Sequence, residues 1–509
     1  MVQKFILAHD LGTSGNKSTL ISPDGEIIAH TTYQYSTIFL KQHWVEQNPN
    51  DWWDAVANAS KQLIAEAKID PKQIACITFS GQMMGAVPVN HKGEAVRNAI
   101  IWADMRSAQK TEAIAEKIGM KEHYEITGNR LSPSYSAAKI NWIQENEPAV
   151  HKETFKYLQA KDYIIAKLTG KFATDYSDAS GTNLLNIKKK EWSEELIKLW
   201  QIDDEKLPEI LPSTAVVGEV HSKAAEETGL MPGTPVVMGG ADGCCAALGA
   251  GAIDEGDIFN YIGSSSWISF SSSRPVFDQE MRTFNFIHLD ENKYIPIGTM
   301  QAAGTSFQWL RDILFQDVLK ADTAKHIYEM MNEEAESSPI GSNQLIFLPY
   351  LMGERSPWWN PNAKGSFIGL TINHKRSDLI RAVLEGISMN LKLIFDALQE
   401  NYDRPFQDIW LFGGGAKSRI WRQMLADLFG VTIRIPKILD ETTSMGAAVA
   451  GGVGVGLLKD LTAAKAWCVE AESFEPDQRN HQSYQTALKA FEQVYKQVEP
   501  IFNQWNGVE

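Results

Sequence analysis

Lys4-Phe5-Ile6-Leu7-Ala8-His9-Asp10-Leu11-Gly12-Thr13-Ser14-Gly15-Asn16-Lys17-Ser18-Thr19-Leu20-Ile21 decides the fold. Its first part alternates like a strand and runs into a tight turn of Gly, Thr and Ser. A second strand, residues 17–22, follows at once. Pro23-Asp24-Gly25 is a hairpin signal, and residues 26–35 read as a third strand, so the chain opens with an antiparallel meander. The device recurs later. Residues 235–238 form a buried strand ending in Gly239-Gly240-Ala241-Asp242-Gly243, and residues 258–262 lead through Gly263-Ser264-Ser265-Ser266 into residues 267–270. This is strand, Gly/Ser turn, strand once more, a diverged second copy of the opening.

Between and beyond the copies the pattern is mixed α/β. Asn50 reads as the N-cap of a helix that puts Trp53, Val56, Ser60, Leu63, Ile64 and Ala67 on one face. Residues 74–79 form a short buried strand ending at Ser80-Gly81-Gln82-Met83-Met84-Gly85, where loops of open α/β sheets carry function. Residues 139–170 read as two helical pieces, and residues 377–400 as one long amphipathic helix. Residues 409–412, Gly413-Gly414-Gly415-Ala416, a helix over 418–429 and a strand over 431–435 make a βαβ unit with a glycine-rich first turn. A last helix, with Leu488, Phe491, Tyr495 and Val498 inward, is expected to pack on the second half. The halves divide near residue 250.

Composition narrows the classes. A chain of 509 residues, 44% hydrophobic and 22% charged, is multidomain and globular, which excludes disordered, collagen-like and coiled-coil proteins. Net charge is −15, from 48 basic and 63 acidic residues. The densest basic run, Lys188-Lys189-Lys190, is a solvated loop or helix end, so no nucleic-acid partner is expected. Cys76, Cys244, Cys245 and Cys468 make no CxxC pair and read as reduced thiols of a cytoplasmic protein. The N-terminal residues reach Asp10 too soon for a signal-peptide core. No window approaches the ~20 apolar residues of a membrane helix.

Each motif has a bland alternative. The turn after Asp10 lets backbone N–H groups approach a phosphate, and the carboxylate suits a metal-bound water; alone, it is a hairpin turn with a capping Asp. Gly263 to Ser266 is the same device. Gly413 to Ala416 permits close approach of a ligand at a helix N-terminus, or close packing of helix on strand. Asp242 among glycines suits a general base, or a helix N-cap. Trp44 and Glu46, with Trp52 and Trp53, make a sugar wall, or else core tryptophans and a surface Glu. His9 and His43 read as structural histidines.

Taken together the motifs resemble the FGGY carbohydrate kinases over nearly the whole chain. They include the Asp10 turn, Trp44-Val45-Glu46-Gln47-Asn48-Pro49, Gly81-Gln82-Met83, Thr174-Asp175-Tyr176-Ser177-Asp178, Gly239 to Asp242, Gly353-Glu354-Arg355-Ser356-Pro357 and Phe412 to Gly415. Within the family the xylulokinases look most similar.

The resemblance implies two actin–hexokinase (RNase H-like) domains facing a catalytic cleft. Residues 1–250 would be the sugar side, and residues 251–509, with the C-terminal helix, the nucleotide side. It implies ATP-dependent phosphorylation of a sugar hydroxyl with Mg²⁺, D-xylulose to D-xylulose 5-phosphate first, with another ketose, a pentitol or an aldonate such as gluconate as alternatives. Asp242 matches the catalytic base, and Asp10 the carboxylate near Mg²⁺. Thr13, Ser14 and Lys17 match the first phosphate loop, and Ser264 and Ser265 the second. Gly304, Gln308, Gly414 and Gly415 match the nucleotide pocket, and Gln82 and Met83, with Met84 beside them, the sugar loop. A homodimer is the assembly that the resemblance suggests.

Two departures stand out. His9 precedes Asp10 where the family has a small or apolar residue. Met84 stands where xylulokinases read His, and a thioether cannot donate that hydrogen bond, which opens the identity of the sugar. An aldonate would need a cation, for which Arg106 and Lys139 are the candidates; the bland alternative for either is pairing at the surface or in a helix contact. A non-catalytic sensor of the same architecture is the remaining class; an intact Asp242 and two phosphate turns argue against it.

Overall fold

The computed structural model describes residues 3–316 and 326–505. Strands β1 (Phe5–Leu11), β2 (Gly15–Ile21) and β3 (Ile27–Gln34) form the expected meander, in register Asp10 against Lys17 and Lys17 against Thr32. Helix α1 (Pro49–Glu66) packs across it. Its N-cap is Asn48 rather than Asn50: Pro49 at the first helical position fixes the entry, and the Asn48 side chain accepts from the Asn50 N–H. Strand β4 (Ile74–Gly81) lies parallel to β1 with Ser80 opposite Asp10. Strands β5 (Val216–Glu219) and β6 (Pro235–Val237) extend the sheet in the order β5-β6-β4-β1-β2-β3, and the short strand Gly240–Ala241 also pairs parallel to β4. Between β4 and β5, residues 136–169 form helices Ser136–Asn146, Pro148–Glu153 and Ala160–Thr169 with a strand Lys156–Leu158, one break more than the helical pattern predicts, because Pro148 restarts the helix.

After helix α2 (Asp242–Gly249) the topology repeats. Strands β7 (Ile258–Ile262), β8 (Ser266–Phe270), β9 (Phe284–Ile287) and β10 (Tyr294–Met300) are successive antiparallel neighbours of a second sheet, in the order β9-β10-β8-β7. Helices α3 (Gly304–Leu314) and α4 (Arg376–Glu400) follow. Strand β11 (Asp408–Phe412) pairs parallel to β7, as β4 does to β1. Helix α5 (Arg419–Phe429), strand β12 (Thr432–Pro436), helix α6 (Thr442–Gly454), strand β13 (Glu470–Phe474) and helix α7 (Gln478–Trp505) complete the second half. Running β10-β8-β7-β11-β12-β13 against β3-β2-β1-β4-β6-β5 shows the duplicated order, each sheet closing on an antiparallel edge strand. Helix α7 buries Tyr484, Leu488, Phe491 and Tyr495 in the second core.

Helix α6 joins the halves. Built mostly from Gly, Ala, Ser and Thr, it crosses α2 and rests on β1 and β4 of the first sheet. The crossing needs glycine. A Cβ on Gly249 would lie 1.8 Å from the Thr442 carbonyl oxygen, and one on Gly446 1.9 Å from the Cys245 carbonyl oxygen.

Candidate active site

The Asp10 carboxylate sits at the C-terminal end of β1, 8% exposed. Its Oδ1 accepts from Ser80 Oγ at 2.9 Å and its Oδ2 from Thr443 Oγ1 of α6 at 2.7 Å. The turn beyond it is braced from every side. Gly12 N–H donates to the Gly15 carbonyl at 3.0 Å and the Tyr35 hydroxyl to the Gly12 carbonyl. Gln47 Nε2 donates to the Thr13 carbonyl at 2.6 Å, and Trp102 Nε1 to Thr13 Oγ1 at 2.9 Å. Thr13 and Lys17 are half-buried and Ser14 is exposed. The Lys17 charge works against the burial that raises the Glu441 carboxyl.

Asp242 is the first helical residue of α2, with Ala241 as N-cap, so it is not the cap that sequence allowed it to be. Its position is set from below. The Ala241 N–H donates to Ser177 Oγ at 2.9 Å, and Ser177 and Ser213 both donate to the Asp175 carboxylate. Lys161 Nζ, fully buried, lies 2.6 Å from Asp162, 2.9 Å from Asp175 and 2.9 Å from Asp178. Asp242 itself is half-buried and lines a cavity of about 140 Å³. Burial, and then the Asp10 charge, push its carboxyl up to about 7, against a 2.7 Å hydrogen bond from the Gly243 N–H. A carboxylate so placed is suited to proton transfer near neutral pH.

The cavity gathers residues from both halves. Met83, Met84 and Trp102 come with Asp242 from the first, and Ser265, Trp267, Phe284, Thr299 and Arg355 from the second. Met84 adopts φ +66°, its N–H bound to Gln159 Oε1 at 2.5 Å. Gln82 is not among the lining residues; it donates to Gln47 Oε1 at 2.8 Å, and its N–H to the Leu11 carbonyl, bracing the first turn. Ser264 is exposed. The second turn supports the start of α3: Gly304 N–H donates to the Gly263 carbonyl at 3.0 Å, and a Cβ on Gly304 would lie 2.3 Å from that oxygen. Gln308 is exposed one turn along α3. At the third glycine turn, Gly414 faces open space, whereas Gly415 packs against the Ile262 side chain.

Several sequence candidates are engaged elsewhere. Arg106 pairs with Asp104 at 2.8 Å and Glu46 at 2.8 Å and lies over the Trp44 ring. Lys139 Nζ donates to the Pro133 carbonyl at 3.0 Å and to that of Ser134. Neither lines the cavity, and the Trp44–Glu46 wall does not form there. Glu46 is buried on Arg97 and Arg106 rather than surface-exposed, and Trp52 is core. His9 is structural: fully buried and bound to Asn16, Ser18 and Ser60, its imidazole is pushed down to about 3 by burial.

Sequence reasoning missed Ser80 and Thr443 on Asp10. It also passed over Trp102, Trp267, Thr299 and Arg355 as pocket walls. Trp267 directly follows the second turn, a signal that was available; Thr443 had none.

Among the described residues no group of three or more His, Cys, Asp or Glu side chains could hold a metal unaided. Asp10, at the strand end that leads into the Gly12–Gly15 turn, fits Mg²⁺, which takes one or two carboxylates together with substrate phosphates.

The chain is similar to known proteins over nearly its whole length. Residues 5–249 match the model for the N-terminal domain of the FGGY family of carbohydrate kinases, and residues 259–455 that for its C-terminal domain. A xylulose kinase of Bacillus subtilis (strain 168) is 33% identical over 97% of this chain and 97% of its own. A gluconokinase of Bacillus licheniformis is 31% identical over 98% of this chain and 97% of its own. The ligand-bound crystal structure of xylulose kinase from Lactobacillus acidophilus superposes with a TM-score of 0.92 at 29% identity, covering 99% of this chain and 100% of that one.

Proposed function

The chain belongs to the FGGY family of carbohydrate kinases, and on that premise we propose that Asp242 takes the proton of a sugar hydroxyl as its oxygen attacks the γ-phosphorus of ATP. The enzyme is a sugar kinase, and ATP is the donor its family implies. In the proposed step a P–O bond to the sugar forms while the bond from the γ-phosphorus to the bridging oxygen breaks, and ADP leaves. The observation that carries this reading is one carboxylate, raised to about 7, on the wall of a cavity that Ser265 of the second turn also lines.

The residues divide by side. Gln82, Met83 and Met84 shape the sugar site, and residues 1–250 serve as the sugar domain. Asp10, Thr13, Ser14 and Lys17 face the phosphates from the first half, and Ser264 and Ser265 from the second. Gly304, Gln308, Gly414 and Gly415 receive the nucleotide in the domain of residues 251–509. Asp10 would hold Mg²⁺ on the first-half side, and the ion would supply neutralisation of the charge that develops on transfer. We place the reaction in the cytoplasm, where the free thiols Cys76, Cys244, Cys245 and Cys468 persist.

D-Xylulose, giving D-xylulose 5-phosphate, is the first substrate reading, supported by the names of the xylulose kinases. Gluconate is the second, supported by the gluconokinase relative and by Met84 in place of the xylulokinase His. A coupled assay of ADP release over ketopentoses, pentitols and aldonates, with the product identified by mass, tests the reading. Sugar-dependent ADP release with a phosphosugar product is expected. Tight binding without turnover on any compound would contradict it.

A further inference from the structure

Three buried polar atoms without hydrogen-bond partners among the described residues belong to residues that line the Asp242 cavity: Arg355 Nη2, Trp267 Nε1 and Thr299 Oγ1. Buried polar groups are nearly always paired with protein, water or a ligand, so three orphans gathered on one cavity mark where a bound molecule would find partners.

Their placement is built rather than incidental. Trp267 and Thr299 face each other in register on β8 and β10. Ser356 N–H donates to the Thr299 carbonyl at 3.0 Å, and Thr299 N–H to Ser356 Oγ at 3.2 Å, docking the 354–356 segment along the end of β10. Arg355 is thereby set beside Thr299, with its guanidinium over the Trp102 ring of the first half, 5.6 Å from the centroid.

No side-chain hydrogen bond or ion pair of Arg355 occurs among the described residues. The adjacent carboxylate, Glu354, is occupied: its Oε1 accepts from the Gln301 and Arg355 N–H groups at 2.8 Å each, and its Oε2 from Asn390 at 3.3 Å.

The chemistry of the orphans is one-sided. Guanidinium and indole N–H groups only donate, and a threonine hydroxyl can join them as a donor. A sugar hydroxyl placed against such a wall still has its own proton to satisfy. A ketone or carboxylate oxygen brings lone pairs and no proton. Both substrate readings carry such an oxygen, whereas a pentitol does not.

We propose that Arg355, with Trp267 and Thr299, receives a carbonyl-type oxygen of the substrate, a ketose carbonyl or an aldonate carboxylate, and so selects against the corresponding polyols. The proposal rests on the assignment of the phosphoryl-transfer site to Asp242.

The test measures kcat/KM on D-xylulose, D-gluconate and the polyols formed by reducing each, for the wild type, Arg355→Met, Arg355→Gln and Arg355→Lys. Calorimetric binding of the same four compounds runs in parallel without nucleotide. Melting curves identify any variant that fails to fold, and the remaining ones carry the test.

The wild type is expected to prefer the carbonyl-type compound over its polyol by about tenfold or more, and Arg355→Met to bring that ratio close to one. Arg355→Gln keeps N–H donors but not charge. It is expected to restore much of the preference if the ligand is a ketone and little if it is a carboxylate, where Arg355→Lys restores more. A polyol used as well as its parent, or an Arg355→Met variant with an unchanged ratio, would overturn the proposal while leaving the kinase reading standing. Arg355-dependent binding with no phosphoryl transfer would overturn the kinase reading and leave the carbonyl site.

Discussion

Thr443 Oγ1 lies 2.7 Å from Asp10 Oδ2 and donates to it, joining residues 433 positions apart. The contact makes the carboxylate at the mouth of the first turn depend on the helix contributed by the second half. Thr443→Val is expected to lower stability by about 1.5–3 kcal/mol, the range for a hydrogen bond to a charged group. It should also lower kcat/KM several-fold, by loosening Asp10. Thermal unfolding and steady-state kinetics check this; a variant unchanged in both would show the contact to be idle.

The raised Asp242 carboxyl sets two pH dependences. As the base it must be ionised, so kcat/KM should rise with pH and level off above about 7. Asp10→Asn removes one of the two causes of the upward shift, and the limb should move to lower pH even though overall activity falls. Folding keeps the Asp242 proton through the window between the ordinary 3.8 and about 7, where the unfolded chain has lost it. Stability from this group is therefore lost as pH rises through that window. Each tenfold change in acid constant is worth about 1.4 kcal/mol, so Asp242→Asn should gain melting temperature over wild type at pH 8 and much less at pH 4. A gap independent of pH would contradict the assignment.

Gly446→Ala is expected to destabilise by about 2–4 kcal/mol, because its Cβ would meet the Cys245 carbonyl at 1.9 Å and both atoms belong to packed helices. Tolerance of alanine there would mean that α2 and α6 separate readily.

Closure of the halves over the cavity would exclude water, which otherwise competes for the phosphoryl group. Small-angle scattering should give a smaller radius of gyration with sugar and a nonhydrolysable nucleotide at saturation than without them. An unchanged radius would count against closure.

Met84 is buried on the cavity wall. Met84→His adds a donor and acceptor at that wall, and should raise D-xylulose turnover relative to other substrates. An unmoved ranking over the panel would remove this position from the specificity argument.

The sheets were legible because their signals are local. The strand–turn–strand units at Asp10 and Ser264, and the βαβ unit at Gly413, carry their own periodicity and turn residues, and their duplication follows from that. Asp242 was legible as a positioned carboxylate, but its helical position was not, since Asp serves equally as a cap. The helix carrying Thr443 is nearly all small residues and has no polar face to give it a period, so its bridge to Asp10 was invisible. Arg106 and Lys139 were chosen for charge alone; long-range pairing with Glu46 engaged the first, and backbone carbonyls just before its own helix engaged the second. Arg355 lay within a quoted motif, yet only the docking of residues 354–356 on β10 brings it to the cavity.

The measurement that bears most directly on the central claim is turnover of Asp242→Asn beside its nucleotide affinity, with the sugar the panel selects. The side chain keeps its size, and Ala241 keeps its anchor on Ser177, so nucleotide binding should stay within about twofold. Sugar-dependent ADP release should fall by about a hundredfold or more, the scale of a lost general base. Near wild-type ADP release from the variant would contradict the assignment of Asp242 as the base.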